Sequence, residues 1–183
     1  FKKDSNIFVS NSDAISYDYE AINKNQKSLV VGNLPFNISS QLLINWIVNY
    51  NWPPFYSKMV LMFQKEVANR IISKHNQKNY SRISVISQAR CEIKLLLNAP
   101  SNIFFPKPKV DGSILEFNPI TKYLDIDISN LQKLLRKSFE HRRKKIKTSL
   151  KDYDYLLKRF DIDEGLRAEN LSVDDYCRLA SAI

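Results

Sequence analysis

Apolar positions along the chain switch between two periods. Residues 6–10 (NIFVS) and 28–31 (SLVV) are short, apolar and β-prone, and the first stops at Asn11-Ser12-Asp13. Between them, 17–27 is polar and has the character of a loop or short helix. From Ser39 to Tyr50, the residues Leu42, Leu43, Trp46 and Ile47 make one helical face, which Trp52-Pro53-Pro54 stops. Residues 58–63 (KMVLMF) predict a third strand. Val67, Ala68, Ile71 and Ile72 fall at helical spacing in QKEVANRIIS, and Ile83, Ile86 and Ala89 do so over 81–90. An apolar run at 93–97, a proline-rich loop at 104–108 and an alternating strand at 113–117 follow.

Strands and helices taking turns predict an α/β sheet with covered faces. After Pro119 the strand signals stop. Three amphipathic patterns take over: Leu131, Leu134, Leu135; Tyr155, Leu156, Phe160; and Tyr176, Leu179, Ala180. A boundary near 119–126 therefore divides a sheet-bearing unit, 1–120, from a small all-α unit, 121–183. No internal repeat or low-complexity tract is visible.

Composition narrows the class. The 183 residues are 44% hydrophobic and 11% aromatic, which is globular. A net charge of +9 points to an anionic partner, nucleic acid or membrane surface, although a Lys-, Asn- and Ile-rich composition alone also raises it. Its placement says more. Residues 131–151 hold nine Lys or Arg against one acid, Glu140, while the rest of the tail is net acidic. Cys91 and Cys177 offer neither metal spacing nor a disulfide framework, so no metal is expected and a reducing, cytoplasmic location is. No apolar run reaches the roughly 18 residues that cross a bilayer. The chain opens on Phe1 rather than Met.

The stretch GNLPFNISSQLL, 32–43, carries the chemistry. In open α/β sheets, ligands bind beyond the carboxyl ends of strands, and Asn33 occupies that place if 28–32 is a central strand. An exocyclic amine such as adenine N6 is a poor nucleophile because its lone pair is delocalised into the ring. Two fixed acceptors, the Asn33 side-chain amide and the Leu34 carbonyl, would bind both N–H groups and stabilise the positive charge of attack. Pro35 stiffens the loop, and Phe36 offers a face for an extruded base. Alone, these four residues also describe an ordinary strand-to-helix turn with Phe36 buried.

The other segments give the turn its context. Asn33-Leu34-Pro35-Phe36, FQKEVANRI (63–71), NYSRISVISQ (79–88), the F-x-P-x-P-K-V-D run Phe104–Asp111, SFEHRRKKIKTSL (138–150) and LRAENLSVDDYCRLA (166–180) stand in order along the chain. Together they resemble the ribosomal RNA adenine N6-dimethyltransferase family, from about Asp13 to Ala180. The resemblance implies a Rossmann-like methyltransferase sheet with a C-terminal helical RNA-docking domain, and S-adenosyl-L-methionine as cofactor. It implies dimethylation of two adjacent adenines near the 3′ end of 16S rRNA within the small ribosomal subunit or its precursor, by a monomer. Asn33 and Leu34 would grip the amine, and Phe36 and Phe104 would wall the base. Asp13 and Ala14 would meet the cofactor, with Asn33 beside it. Asp13 also fits a plain turn aspartate, and Phe104 a core residue.

Ser81 and Gly112 depart from the family pattern, as does the absence of an E-x-G-x-G loop. In the family that loop precedes the equivalent of Asn6. The expectation is a truncated chain that binds the cofactor poorly. Arg142, Arg143, Lys144, Lys145 and Lys147, spread around a helix with Phe139, Ile146 and Leu150 inward, are the expected phosphate contacts. A solvated charged face is the plainer reading of such a run. Alternatives are an erythromycin-resistance type 23S rRNA methyltransferase, a non-catalytic nucleic-acid-binding factor on the same fold and, more remotely, a membrane-surface protein.

Overall fold

A computed structural model describes residues 7–22 and 27–183. At its centre four strands, β1 (Ser28–Asn33), β2 (Tyr56–Gln64), β3 (Cys91–Ala99) and β4 (Gly112–Pro119), lie in the order β1-β2-β4-β3. β1 is parallel to β2, whereas β4 is antiparallel to both β2 and β3. The carboxyl ends of β1, β2 and β3 and the start of β4 therefore share one end of the sheet. Asn33, Gln64, Ala99 and Gly112 mark that end.

Helix α1 (Ser39–Val48) makes the crossover from β1 to β2, burying the four positions its spacing predicts: Leu42, Leu43, Trp46 and Ile47. β2 and β4, at the centre, bury Met59, Leu61, Phe63, Leu115 and Phe117. Helices α2 (Lys65–Ile72) and α3 (Arg82–Arg90) follow β2. Their junction rests on two polar side chains. Ser81 and Ser84 form a capping box, and Ser84 Oγ donates to the Arg70 carbonyl. Gln88 Nε2 donates to the carbonyls of Ile71 (2.9 Å) and Ser73 (2.8 Å), satisfying groups that the end of α2 leaves open.

Beyond Pro119 the described chain is helical, with α4 (Ile128–Glu140), α5 (Ile146–Ser149), α6 (Asp154–Arg159) and α7 (Val173–Ala180). Asp127 caps α4 through the Ser129 and Asn130 amides, and Ser172 with Asp175 caps α7. An aromatic chain joins this part to the sheet layer: Tyr80 lies 6.2 Å from Phe139, which stacks 6.0 Å from Tyr176. Trp52 Nε1 donates to the Ile120 carbonyl at 2.8 Å, and the Arg90 guanidinium sits 4.9 Å over the Trp52 ring. One apolar core thus runs from the sheet into the helical tail. None of the described helices is long and apolar enough to cross a membrane.

Several expectations change. Residues 7–10 are not a strand but irregular chain, with Phe8 and Val9 exposed, and Asn6 lies outside the described residues. A β-prone run becomes a strand only when it pairs, and residues 7–10 join no strand among the described residues. Of 17–27, a 3-10 turn covers Glu20–Ile22, and 23–26 lie outside the described residues. β1 is an edge strand of the described sheet rather than a central one, with Leu29 and Val31 exposed. The run Leu95-Leu96-Leu97 is about half exposed, because β3 is the opposite edge and its pairing slips between Leu95 and Leu97.

Candidate active site

Asn33 is the last residue of β1, and its side chain shares the exposed face with Leu29 and Val31. The chain then turns at once. The Pro35 carbonyl accepts from the amides of Ile38 and Ser39, each at 3.1 Å, and Ser39 Oγ donates to the Phe36 carbonyl at 3.2 Å. These bonds fix the turn to the first residues of α1. Among the described residues, no side chain hydrogen-bonds the Asn33 amide, and the Leu34 carbonyl takes no turn or loop bond. Two acceptors on adjacent residues are thus left without a protein partner among the described residues, two and three positions ahead of the half-buried Phe36.

Gly32 leaves room for the Leu34 side chain. Leu34 folds back so that a Cβ on Gly32 would sit 2.8 Å from Leu34 Cδ2 and 3.2 Å from Leu61 Cδ2. The motif reading missed this residue. Its signal was a scarce glycine directly ahead of the asparagine.

The loop 100–111 lies at the same end of the sheet. Asp111 closes it: Oδ1 accepts from the Ser101 amide and its carbonyl accepts from Lys65, both at 2.9 Å. Phe104 is half-buried. Gly112, where the family pattern has serine, leaves room for Met62, whose Sδ would lie 3.3 Å from an added Cβ. Met62 in turn pairs with Asn33 across β1 and β2. One strand end, one turn and one clamped loop therefore share one end of the sheet.

The fold places Asp13 and Ala14 differently. Asp13 Oδ1 accepts from the Ile15 amide at 2.9 Å in a tight turn, and the Ala14 carbonyl accepts from Tyr19 Oη at 2.8 Å. This segment packs on the second half of α1: Asn45 Nδ2 donates to the Ile15 carbonyl, and Tyr19 meets Trp46, Tyr50 and Phe55. Its hydrogen bonds run to that part of the helix rather than to the 33–36 turn. Among the described residues no group of His, Cys, Asp or Glu is arranged to hold a metal.

A family model described as ribosomal RNA adenine dimethylase matches residues 1–183. The chain belongs to this family. It is 37% identical over 177 residues to Ribosomal RNA small subunit methyltransferase A of Allorhizobium ampelinum, a match that covers 96% of this chain. The chain spans about 64% of that relative's length. Its structure is similar to the crystal structure of a dimethyladenosine transferase from Plasmodium falciparum, with a TM-score of 0.81 and 25% identity over 96% of this chain and 71% of that one. It also shares its fold with a 23S rRNA methyltransferase, ErmE, at a TM-score of 0.63 and 17% identity, covering 93% and 69% of the two chains.

Within this family member the basic segment is not one helix. α4 ends at Glu140, and residues 141–144 form a turn closed by the Lys144 amide on the His141 carbonyl at 2.7 Å. Lys145 then bridges Arg167, and α5 begins at Ile146. Successive like charges at helical spacing repel, so the run favours a turn that splays them into water. Ile146 and Leu150 are buried as expected, and Phe139 is half-buried. Arg142 has another job. Its Nη2 donates to the Lys78 carbonyl at 2.6 Å and its Nε to Glu169 Oε2 at 3.3 Å, strapping the loop after α2 to the chain before α7. Arg143, Lys144, Lys145 and Lys147 are exposed and pair with no carboxylate among the described residues.

Proposed function

We propose that this chain carries the amine-gripping and RNA-docking parts of an S-adenosylmethionine-dependent dimethyltransferase acting on two adjacent adenines of 16S rRNA. The observation that carries the reading is the pair of open acceptors, the Asn33 amide oxygen and the Leu34 carbonyl, at a strand's carboxyl end. Family membership and the small-subunit relative supply the substrate class. An RNA base extruded against Phe36 and Phe104 would present its N6 hydrogens to these two oxygens. Both oxygens would strengthen their hold as the nitrogen turns pyramidal and positive. The proton leaves to solvent after attack, so no side chain need act as base.

S-adenosylmethionine would supply the transferable methyl group. The residues here fit it in part. Asp13 keeps one carboxylate oxygen outside its turn that would meet an adenine amine, with Asn33 beside the cofactor. The three glycines, Gly32, Gly112 and Gly165, are too far apart in the chain to form a glycine-rich loop. Residues 121–183 would dock the RNA through Arg143, Lys144, Lys145 and Lys147. A monomer working in the cytoplasm is the matching state.

The test is methyl transfer from labelled S-adenosylmethionine to unmethylated small ribosomal subunits by the intact protein. N6,N6-dimethyladenosine at two neighbouring positions is expected. Tight, salt-sensitive RNA binding without any methylated adenine would replace this reading with a non-catalytic binding factor.

A further inference from the structure

Beside the half-buried Phe104 stands a second ring with a different environment. Phe105 is fully exposed, at 102% of its extended-chain value, and Ile103 is 62% exposed. Exposed apolar patches can mark interaction sites, and Ile103 and Phe105 stand two positions apart in this loop. This loop is held firmly in place. The Ile103 and Phe104 amides bond back to Pro100 and Ser101, the Asp111 clamp closes its base, and Pro106 and Pro108 stiffen its return. Lys107 and Lys109 follow Phe105 in the loop, both exposed and without a carboxylate partner among the described residues.

The geometry points to Phe105 as a docking residue for RNA, stacking on an unpaired base next to the one seated at the Asn33 turn. This inference rests on the proposed function for the identity of the nucleic acid. An exposed ring and two exposed cations in one clamped loop match a single strand, whose bases offer flat faces and whose phosphates offer negative charge. The same surface fits a protein poorly, since two lysines of the same loop would have to be desolvated or paired. Extruding a base also leaves its neighbour without a stacking partner, and a ring fixed to the same end of the sheet can replace that partner. Phe104 and Phe105 thus divide the work: one walls the reacting base, the other holds the base beside it.

The experiment uses the intact protein, an RNA hairpin with an unpaired adenine-containing loop, and a fully paired duplex of equal length. Phe105→Ala is expected to weaken hairpin binding roughly 5- to 100-fold, the range of one lost stacked base, while leaving the salt slope and the duplex affinity unchanged. Phe105→Trp is expected to restore affinity and to lose emission when hairpin, but not duplex, is added. Since Phe105 touches solvent alone, circular dichroism of both variants should match the parent. Equal hairpin affinity for Phe105→Ala overturns the inference, even if methyl transfer is intact. So does a defect seen with ribosomal particles but not with naked RNA, which would make the partner a protein. Hairpin stacking by a protein that methylates nothing would uphold this inference and sink the proposed function.

Discussion

Leu34 closes over Gly32 so tightly that a methyl group on the glycine would come within 2.8 Å of Leu34 Cδ2. Gly32→Ala should push Leu34 off its seat, because Leu61 on the other side is fully buried and does not yield. A stability loss of about 1 kcal/mol is expected, lowering Tm by a few degrees. Methyl transfer should fall further, more than about tenfold, since small misplacements of binding groups are costly. Adding Leu34→Ala should recover most of the stability. Failure to do so in thermal melts would show that the two residues are not coupled.

The open acceptor of Asn33 gives a sharper test. Asn33→Ala removes a side chain that holds up nothing among the described residues, so folding and RNA affinity should stay near parental. Turnover should drop by about 10²- to 10³-fold, as for the loss of one preorganised group aimed at developing charge. Quenched-flow methyl transfer under saturating RNA reads the rate directly. A drop in affinity with normal turnover would move Asn33 from chemistry to docking.

Much of this fold was legible because α1, β2 and β4 each bury one face. The positions Leu42, Leu43, Trp46 and Ile47 fall inside as their spacing requires, and β2 and β4 lie within a few residues of the predicted runs. Strand position in the sheet was not legible. An edge and a centre strand can share composition, which is why Leu29, Val31 and Leu95–Leu97 read as buried yet face water. The Asn33 turn was visible because asparagine, proline and an aromatic together impose a shape. The strap through Arg142 was invisible, since its partners Lys78 and Glu169 are distant in sequence and depend on tertiary packing.

That strap separates two kinds of cation in one basic run. Neutralising Arg143, Lys144, Lys145 and Lys147 together should reduce the slope of log affinity against log salt by up to about 3–4, near one per lost phosphate contact. Tm should hardly change, because none of the four pairs with a carboxylate among the described residues. Arg142→Ala should do the reverse. It loses an exposed ion pair and a bond to a carbonyl, about 1–2 kcal/mol together, with a smaller change in slope. Filter binding from 50 to 300 mM salt, roughly the span in which phosphate contacts are lost, with melts of each variant, decides it.

The two thiols predict how the fold meets alkali. Burial pushes Cys91 up to about 12, with the Tyr56 hydroxyl 3.9 Å from its sulfur, and burial likewise pushes Cys177 up to about 12. In the unfolded chain both return towards the ordinary value of 9.0. Between those values the unfolded state has released protons that the native state still holds, so stability falls as pH rises. Each thiol contributes at most about 1.4 kcal/mol per pH unit in that window, and nothing below it. The raised hydroxyls of Tyr56, Tyr80 and Tyr176, buried in the same core, act in the same direction at higher pH. Urea midpoints should therefore be flat from about pH 7 to 8.5 and decline above it. The double variant Cys91→Ala, Cys177→Ala, though less stable at neutral pH, should lose less on going from pH 8 to 10. An identical decline in that variant would mean that the thiols do not govern the alkaline limit.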